Sequence, residues 1–419
     1  MHISHFSWEF PPAIWGGLGT FIMEMTQQQV KLGHNATVFA LNDANKLKPE
    51  ETWKGVHVFR PVTIELNQTF QLFANEDISS WGEHFQFFSD VLNYNITSAY
   101  LFHQKIKDSK VKKPDIIDGH DWLGVIGGMA AKKALNVPLV FHVHSTEQGR
   151  SLGGGSPTVQ HIEYTAGQTA DGIITVSHAM KGELLKLGFP EDKIHVCWNG
   201  VDPDKYNPDR FSKEEIHKLR TSYSINDDQF MIFFVGRLVT VKGADKLVKA
   251  LPGVIQEFPE CKLVILGVGD MEEHLHVLID QLHLQDHVVI RPEFVNEEQR
   301  MLHYAASDLV VLPSLYEPFG IVCTEAMAMA KPVIVGAKGV TGMKEQIIPC
   351  GNDHCGYHIN PFDPHDITWA INQVLQQDDH GKRLGENARK RVLKEFTWDV
   401  IAKRTLSIYK DVLQSVEKK

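Results

Sequence analysis

The chain has little with which to crosslink itself. Its five cysteines (Cys197, Cys261, Cys323, Cys350, Cys355) are odd in number and scattered. That excludes a small disulfide-stapled scaffold and suits a reduced, cytoplasmic setting. No stretch approaches the ~20 consecutive apolar residues of a membrane helix, so no stable membrane span is expected. Strand-like sequence begins almost at Met1, without the charged and apolar regions of a signal peptide. On that reading the sequons at Asn67 and Asn95 are chance matches. A net positive charge is also missing: 42 Lys+Arg against 52 Asp+Glu leave −10. This argues against a general nucleic-acid binder but leaves room for a local basic pocket. Internal repeats and low-complexity tracts are absent. So is the full Gly-x-Gly-x-x-Gly turn that a nicotinamide dehydrogenase would need.

What is present is a long α/β alternation. The 419 residues are 43% hydrophobic, enough for a core in each of two or three domains at roughly 100–200 residues per domain. Short β-branched runs predict strands near 2–7, 35–41, 55–60, 114–118, 138–143, 172–176 and 193–198. The pattern restarts with runs near 230–236, 262–267, 287–291, 308–312 and 332–336. Helical patterns at 17–32, 122–134, 243–258, 271–283 and 320–330 fill gaps between them. This alternation indicates parallel sheets with helices on both faces. Asn199–Pro203 is a turn-rich break, and a polar stretch (208–229) follows it. We therefore expect two doubly wound, Rossmann-like domains, 1–200 and 201–397, facing each other. The final segment, 398–419, reads as an amphipathic helix returning to the first domain.

Three motifs carry chemistry. Trp15-Gly16-Gly17-Leu18-Gly19 precedes a helix, where bare amides and the helix dipole favour an anion; a plain tight turn reads equally well. In Phe234–Gly243 (FVGRLVTVKG), Arg237 follows a strand and Lys242 precedes a helix. Two such cations suit a diphosphate, Arg as a planar fork and Lys as a point charge; the alternative is a solvated surface pair. In Glu317–Glu325 (EPFGIVCTE), a buried strand leads into a turn shaped by Pro318 and Gly320, with two acids eight positions apart. Carboxylates accept hydrogen bonds from sugar hydroxyls, although a helix-start acid would account for one of the two. A zinc reading of Cys350, His354 and Cys355 lacks the second ligand pair that structural sites use, and a surface loop explains them better.

Together, FVGRLVTVKG and EPFGIVCTE resemble the retaining glycosyltransferases of family 4, which have the GT-B fold. The similarity extends to glycogen-synthase-like members of archaea and bacteria. It runs through WEFPP-x3-GG (8–17), GHDW (119–122), HVHSTEQGR (142–150), TVSHAMK (175–181), WNGVD (198–202) and LGVGDM (266–271). The resemblance implies roles. Gly16 and Gly17 would lie against the donor diphosphate or the acceptor, and Arg237 and Lys242 would bind the diphosphate. Glu317 would contact the transferred sugar, helped by the Phe319 and Gly320 amides, and Glu325 would hold the ribose hydroxyls. His144 would contact the sugar near its anomeric carbon, with Asp121 beside the acceptor path. Gly267 and Gly269 would border the base. The loop after PVIVG departs from the Gly-Gly turn of many relatives; Thr341 and Gly342 are expected to open a helix facing phosphate there.

The resemblance thus implies retaining transfer of glucose from UDP- or ADP-glucose to an α-glucan. No cofactor and no essential metal are expected, since the paired cations replace one. GDP as carrier, mannose as the sugar, another acceptor (a lipid, a small metabolite, a sugar phosphate) and a homo-oligomeric state stay open. A sugar-nucleotide 2-epimerase would share two such domains but should lack the Arg237/Lys242 and Glu317/Glu325 pairing. Intact Glu317, Arg237 and Lys242 argue against a non-catalytic relative.

Overall fold

The computed structural model describes residues 1–64, 83–377 and 379–418. The chain forms two compact units, one of Met1–Val176, Lys181–Cys197 and Ala402–Lys419, the other of Ser177–Met180 and Trp198–Ile401. Both are α/β and doubly wound, the class the alternating pattern predicts.

The first unit holds β1 (His2–Ser7), β2 (Asn35–Ala40), β3 (Glu50–Trp53), β4 (Val56–Phe59), β5 (Ile116–His120), β6 (Leu139–Val143), β7 (Gly172–Thr175) and β8 (Ile194–Val196). They form one sheet in the order β3-β4-β2-β1-β5-β6-β7-β8. Every pairing is parallel except β3 with β4. β1 is central and fully buried even though His2, Ser4, His5 and Ser7 are polar. Burying such groups requires partners for them, and the site described below supplies those of His5. Within this unit Tyr409 and Val412, on the helix Trp398–Glu417, pack against Asp118 and Gly172.

The second unit holds β9 (Phe230–Val235), β10 (Cys261–Leu266), β11 (Val288–Arg291), β12 (Leu309–Leu312), β13 (Val333–Gly336) and β14 (Gly356–Ile359), in the order β11-β10-β9-β12-β13-β14 and all parallel. Its inner strands are continuous apolar runs (FMIFFV, LVVL), as expected where helices cover both faces of a sheet. The helix Ala244–Glu257 lays Ala244, Leu247, Val248, Leu251 and Val254 on that core at three- and four-residue spacing.

The sequence pattern misses β3 and β14. Both are four-residue edge strands, and β3 carries two exposed or half-exposed glutamates that hide its alternation. In each sheet the winding reverses beside the first strand of the unit, between β1 and β5 and between β9 and β12. Such switch points open a crevice at the carboxyl ends of the strands. Among the described residues no helix is long and apolar enough to cross a membrane. Asn95 is buried, its side-chain amide donating to the Val91 and Leu123 carbonyls; Asn67 lies outside the described residues.

Candidate active site

In the second unit the loops after β9, β10, β12 and β13 converge at the switch point. The Leu238 N–H donates to the Val268 carbonyl (2.8 Å) and the Met271 N–H to the Leu238 carbonyl (2.9 Å). This lacing needs backbone approaching backbone. A Cβ on Gly267 would sit 1.9 Å from the Gly236 oxygen, and one on Gly269 2.2 Å from that of Leu238. Both glycines therefore hold the loop that presents Arg237. Arg237 itself is exposed, and its guanidinium has no ion-pair partner among the described residues.

Lys242 ends a short 3-10 turn, Thr240–Lys242. The chain then reverses at Gly243, where φ is +71° and a Cβ would lie 2.2 Å from the Pro313 oxygen, so glycine is required twice over. The Leu315 N–H donates to the Val241 carbonyl (2.8 Å), joining this turn to the loop after β12. Across that junction the Lys242 ammonium forms an ion pair with the Glu317 carboxylate, both side chains being largely buried.

Glu317 is fixed by its backbone. Its N–H donates to the Val340 carbonyl (3.0 Å), and its own carbonyl accepts from the Gly342 N–H (2.8 Å). The Phe319 and Gly320 N–H groups make no hydrogen bond to a described residue, and Gly320 starts the helix Ile321–Ala328. Two unpaired donors at a helix start beside a Lys–Glu pair make a site suited to anionic oxygen.

Two of the expected donor contacts fall on groups that already have partners in this unit. Thr341 is fully buried and its hydroxyl donates to the Gly336 carbonyl (3.0 Å), while the Gly342 amide is spent on Glu317. The helix that follows is the single turn Met343–Gln346. The Thr341 hydroxyl and the Gly342 amide brace the Glu317 turn. Glu325 is the second. Its carboxylate accepts from Tyr206 Oη (2.8 Å), Tyr304 Oη (2.9 Å), and Arg300 through Nε (3.1 Å) and Nη2 (3.0 Å). A carboxylate has about four lone-pair sites, and all are taken. In this arrangement Glu325 has no acceptor left for a ribose hydroxyl. The carboxylate in turn raises the Arg300 pKa, and burial with the same carboxylate pushes Tyr304 well above the usual phenol range. Sequence reasoning missed Tyr206, Arg300 and Tyr304. The only local signal was Arg300 and Tyr304 at four-residue spacing on the helix Glu297–Ala306.

In the first unit the glycine-rich loop already holds an anion. Glu9 Oε2 accepts from the N–H groups of Trp15 (2.9 Å), Gly16 (3.0 Å) and Gly19 (3.1 Å). The Trp15, Gly16 and Gly19 amides are turned onto this carboxylate, while Gly16 itself is exposed. Gly17 is exposed at the start of the helix Gly17–Lys31.

Asp121, expected beside the acceptor, belongs to the same unit. It is 4% exposed, and its carboxylate accepts from the His144 N–H (2.7 Å) and the Ser145 N–H (3.3 Å). It clasps the turn that carries His144. Burial raises its pKa, opposed by Arg150.

His144 follows β6 directly and is half-buried. Its Nε2 lies 3.1 Å from His120 Nδ1, and His120 Nε2 lies 3.1 Å from His5 Nδ1. His5 Nε2 meets Gln29 Oε1 at 2.9 Å. Asp118 sits beside this line: its Oδ2 is 3.5 Å from His120 Nε2 and 3.7 Å from His5 Nδ1, and it accepts from Tyr409 Oη. Burial holds His144 and His120 well below the ordinary imidazole range, and lowers His5 too. Burial works against the Asp118 anion, but the surrounding imidazoles of His120, His142 and His5 outweigh it and lower its pKa. None of the cluster except His144 was read from sequence. Its only trace was polar residues alternating with apolar or small ones in three strands.

Among the described residues, the histidine and carboxylate groups with metal-like spacing are His120–His142–His144 and His5–Asp118–His120. The Cys350 cluster does not converge: Cys350 is exposed, the Cys355 thiol accepts from the Ile348 N–H (3.2 Å), and the His354 ring meets the Gly356 carbonyl (3.0 Å).

Comparison with known proteins identifies the family and the fold. The family described as Glycosyltransferase Family 4 matches residues 15–205, and that described as Glycosyl transferases group 1 matches 215–391. An uncharacterized glycosyltransferase of Methanocaldococcus jannaschii is 33% identical over 99% of both chains. A glycogen synthase of Mycobacterium tuberculosis is 28% identical over 98% of this chain and 94% of its own. Among solved structures, a sucrose-phosphate synthase from Thermosynechococcus elongatus superposes with a TM-score of 0.78 at 20% identity, covering 99% of each chain. At that identity the likeness establishes the fold, GT-B.

Proposed function

Starting from a chain that belongs to the family 4 glycosyltransferases, we propose that it transfers glucose, with retention, from UDP- or ADP-glucose to an α-glucan. One observation carries the donor reading: exposed Arg237, the Lys242–Glu317 pair and the free Phe319 and Gly320 amides meet at one switch point. This set suits a nucleoside diphosphate bearing a sugar.

In the proposed reaction the bond from the sugar's anomeric carbon to the β-phosphate oxygen breaks. The acceptor hydroxyl oxygen bonds to that carbon on the same face, and its proton leaves with the diphosphate. Arg237 and Lys242 stabilise the charge that develops on the leaving oxygens, a type of term commonly among the largest in catalysis. Glu317 orients the transferred sugar through its hydroxyls. Positioning supplies the remainder. With two fixed cations available, a metal is not required for charge neutralisation, and EDTA is expected to leave the rate unchanged. The glucan is proposed from the likeness to the glycogen synthase.

The test is nucleoside diphosphate release by the purified chain across UDP-, ADP- and GDP-sugars, with and without glycogen or maltooligosaccharide. Release from a glucose donor that depends on glucan is the expected result. No turnover with any glucose donor and glucan sinks the reading. Acceptor-independent release with inversion at the sugar's second carbon identifies an epimerase instead.

A further inference from the structure

The three histidines that end at His144 form a chain whose direction is set at its far end. A neutral imidazole has one N–H and one bare nitrogen. In the orientation that the Gln29 amide takes here, Oε1 faces His5 Nε2 and accepts from it, so that nitrogen carries the proton. His5 Nδ1 is then bare, and His120 Nε2, 3.1 Å away, must donate to it. His120 Nδ1 is bare in turn, so His144 Nε2 donates to it across 3.1 Å. The last nitrogen, His144 Nδ1, is left with a free lone pair. Each link depends on strand register: β1 places His5 opposite Asp118 on β5, and β5 places His120 opposite His142 on β6. The His142 ring stacks on that of His144 at 4.5 Å and 1°, which fixes the ring plane.

We propose that Gln29, His5 and His120 are positioning residues that lock His144 as its Nε2–H tautomer, so that Nδ1 is left bare as the acceptor for a sugar hydroxyl. The sugar contact rests on the function proposed above; the tautomer does not. The charged and titratable groups around the chain are Asp118 and His142 from the sheet, Tyr409 from the helix Trp398–Glu417, and Asp121 at the His144 backbone. Asp118 Oδ2 lies close to both nitrogens of the His5–His120 link and offers that link a fixed negative charge.

A rival occupant makes the opposite prediction. His5 Nδ1, His120 Nε2 and Asp118 Oδ2 are separated by 3.1, 3.5 and 3.7 Å, close to the edges of a tetrahedron with metal–ligand bonds of about 2.0–2.1 Å. A metal there would need a bare His120 Nε2. His120 Nδ1 would then donate, and His144 would be bare at Nε2. The hydrogen-bonded chain is favoured because its three contacts are already at hydrogen-bond length, and Oδ2 is already engaged by Tyr409.

The test is two-bond ¹H–¹⁵N spectroscopy of the full chain labelled with ¹⁵N-histidine, the His144 ring assigned from His144→Gln. The expected result is a neutral ring protonated at Nε2, together with His120→Leu losing about 10–100-fold in kcat, the usual range for a partner that orients a functional histidine. His120→Asn keeps an acceptor for His144 Nε2 and is expected within about 3-fold of the unaltered chain in kcat, with nucleotide-sugar KM unchanged in both variants; wrong-tautomer losses can reach about 10⁴-fold. A ring protonated at Nδ1, or stoichiometric zinc retained by the purified protein, overturns the proposal. So does equal kcat in folded His120→Leu and His120→Asn. If the chain transfers no sugar at all, the function proposed above fails, while the ring spectrum still decides the tautomer.

Discussion

Lys242 and Glu317, 75 positions apart, meet as an ion pair at the junction of the loops after β9 and β12. The pair places a cation beside the Phe319 and Gly320 amides, which make no hydrogen bond to a described residue, and under the proposed function the diphosphate would compete with Glu317 for it. Neutralising Glu317 should therefore separate binding from turnover. In Glu317→Gln the ammonium is released to phosphate, so nucleoside diphosphate is expected to bind more tightly, while transfer slows because the sugar loses an acceptor. Lys242→Ala removes the cation and leaves the carboxylate facing the leaving group. Its kcat is expected to fall by about 10²–10³, the usual cost of deleting one transition-state donor. Calorimetric titration with UDP and ADP beside steady-state rates checks both. Weaker nucleotide binding in Glu317→Gln would contradict that competition.

Glu325 supports a second, opposite pattern, because its partners are donors from its own unit. Arg300→Ala would leave a carboxylate with 5% side-chain exposure facing two tyrosine hydroxyls and no cation. Breaking such a pair costs about 3 kcal/mol or more, whereas Tyr304→Phe removes one hydrogen bond worth about 1–2 kcal/mol. Denaturation of the second unit, followed by hydrogen exchange on the helices Glu297–Ala306 and Ile321–Ala328, should rank Arg300→Ala well below Tyr304→Phe. Equal effects would mean that Arg300 is replaceable by water.

What the sequence revealed and what it hid follow from how far each interaction reaches. Arg237, Lys242 and Glu317 were legible because strand, loop and helix follow one another locally, and the switch point collects loops at strand ends. The lacing glycines carried the same local signal. Glu9 was not legible, because nothing in a run of residues says that a carboxylate six positions upstream will turn back onto the Trp15 amide. The partners of Glu325 were not legible either, because Tyr206 and Arg300 come from distant elements. The line from Gln29 to His144 requires the register of three strands, which no local pattern encodes. β3 and β14 escaped because edge strands need only a short apolar stretch.

Glu163 gives the first unit a measurable pH dependence. It is 3% exposed, accepts the Glu147 N–H at both oxygens (2.9 and 3.1 Å), and lies 3.9 Å from Arg150. Burial pushes its pKa up to about 8, and Arg150 opposes this only in part. The ordinary value, near 4.5, describes the unfolded chain. Between the two the folded state binds more protons than the unfolded state, so stability falls as pH rises. The contribution is complete below about pH 4.5 and is lost as pH climbs through about 8, with a slope of at most roughly 1.4 kcal/mol per pH unit. Glu163→Gln keeps the shape and removes the titration. Relative to the unaltered chain it should therefore gain stability steadily from pH 5.5 to pH 8.5. Paired urea midpoints across that range check this, since the difference cancels groups that titrate in both proteins. A flat difference would show that Glu163 is ionised throughout, with Arg150 and the Glu147 amide outweighing burial.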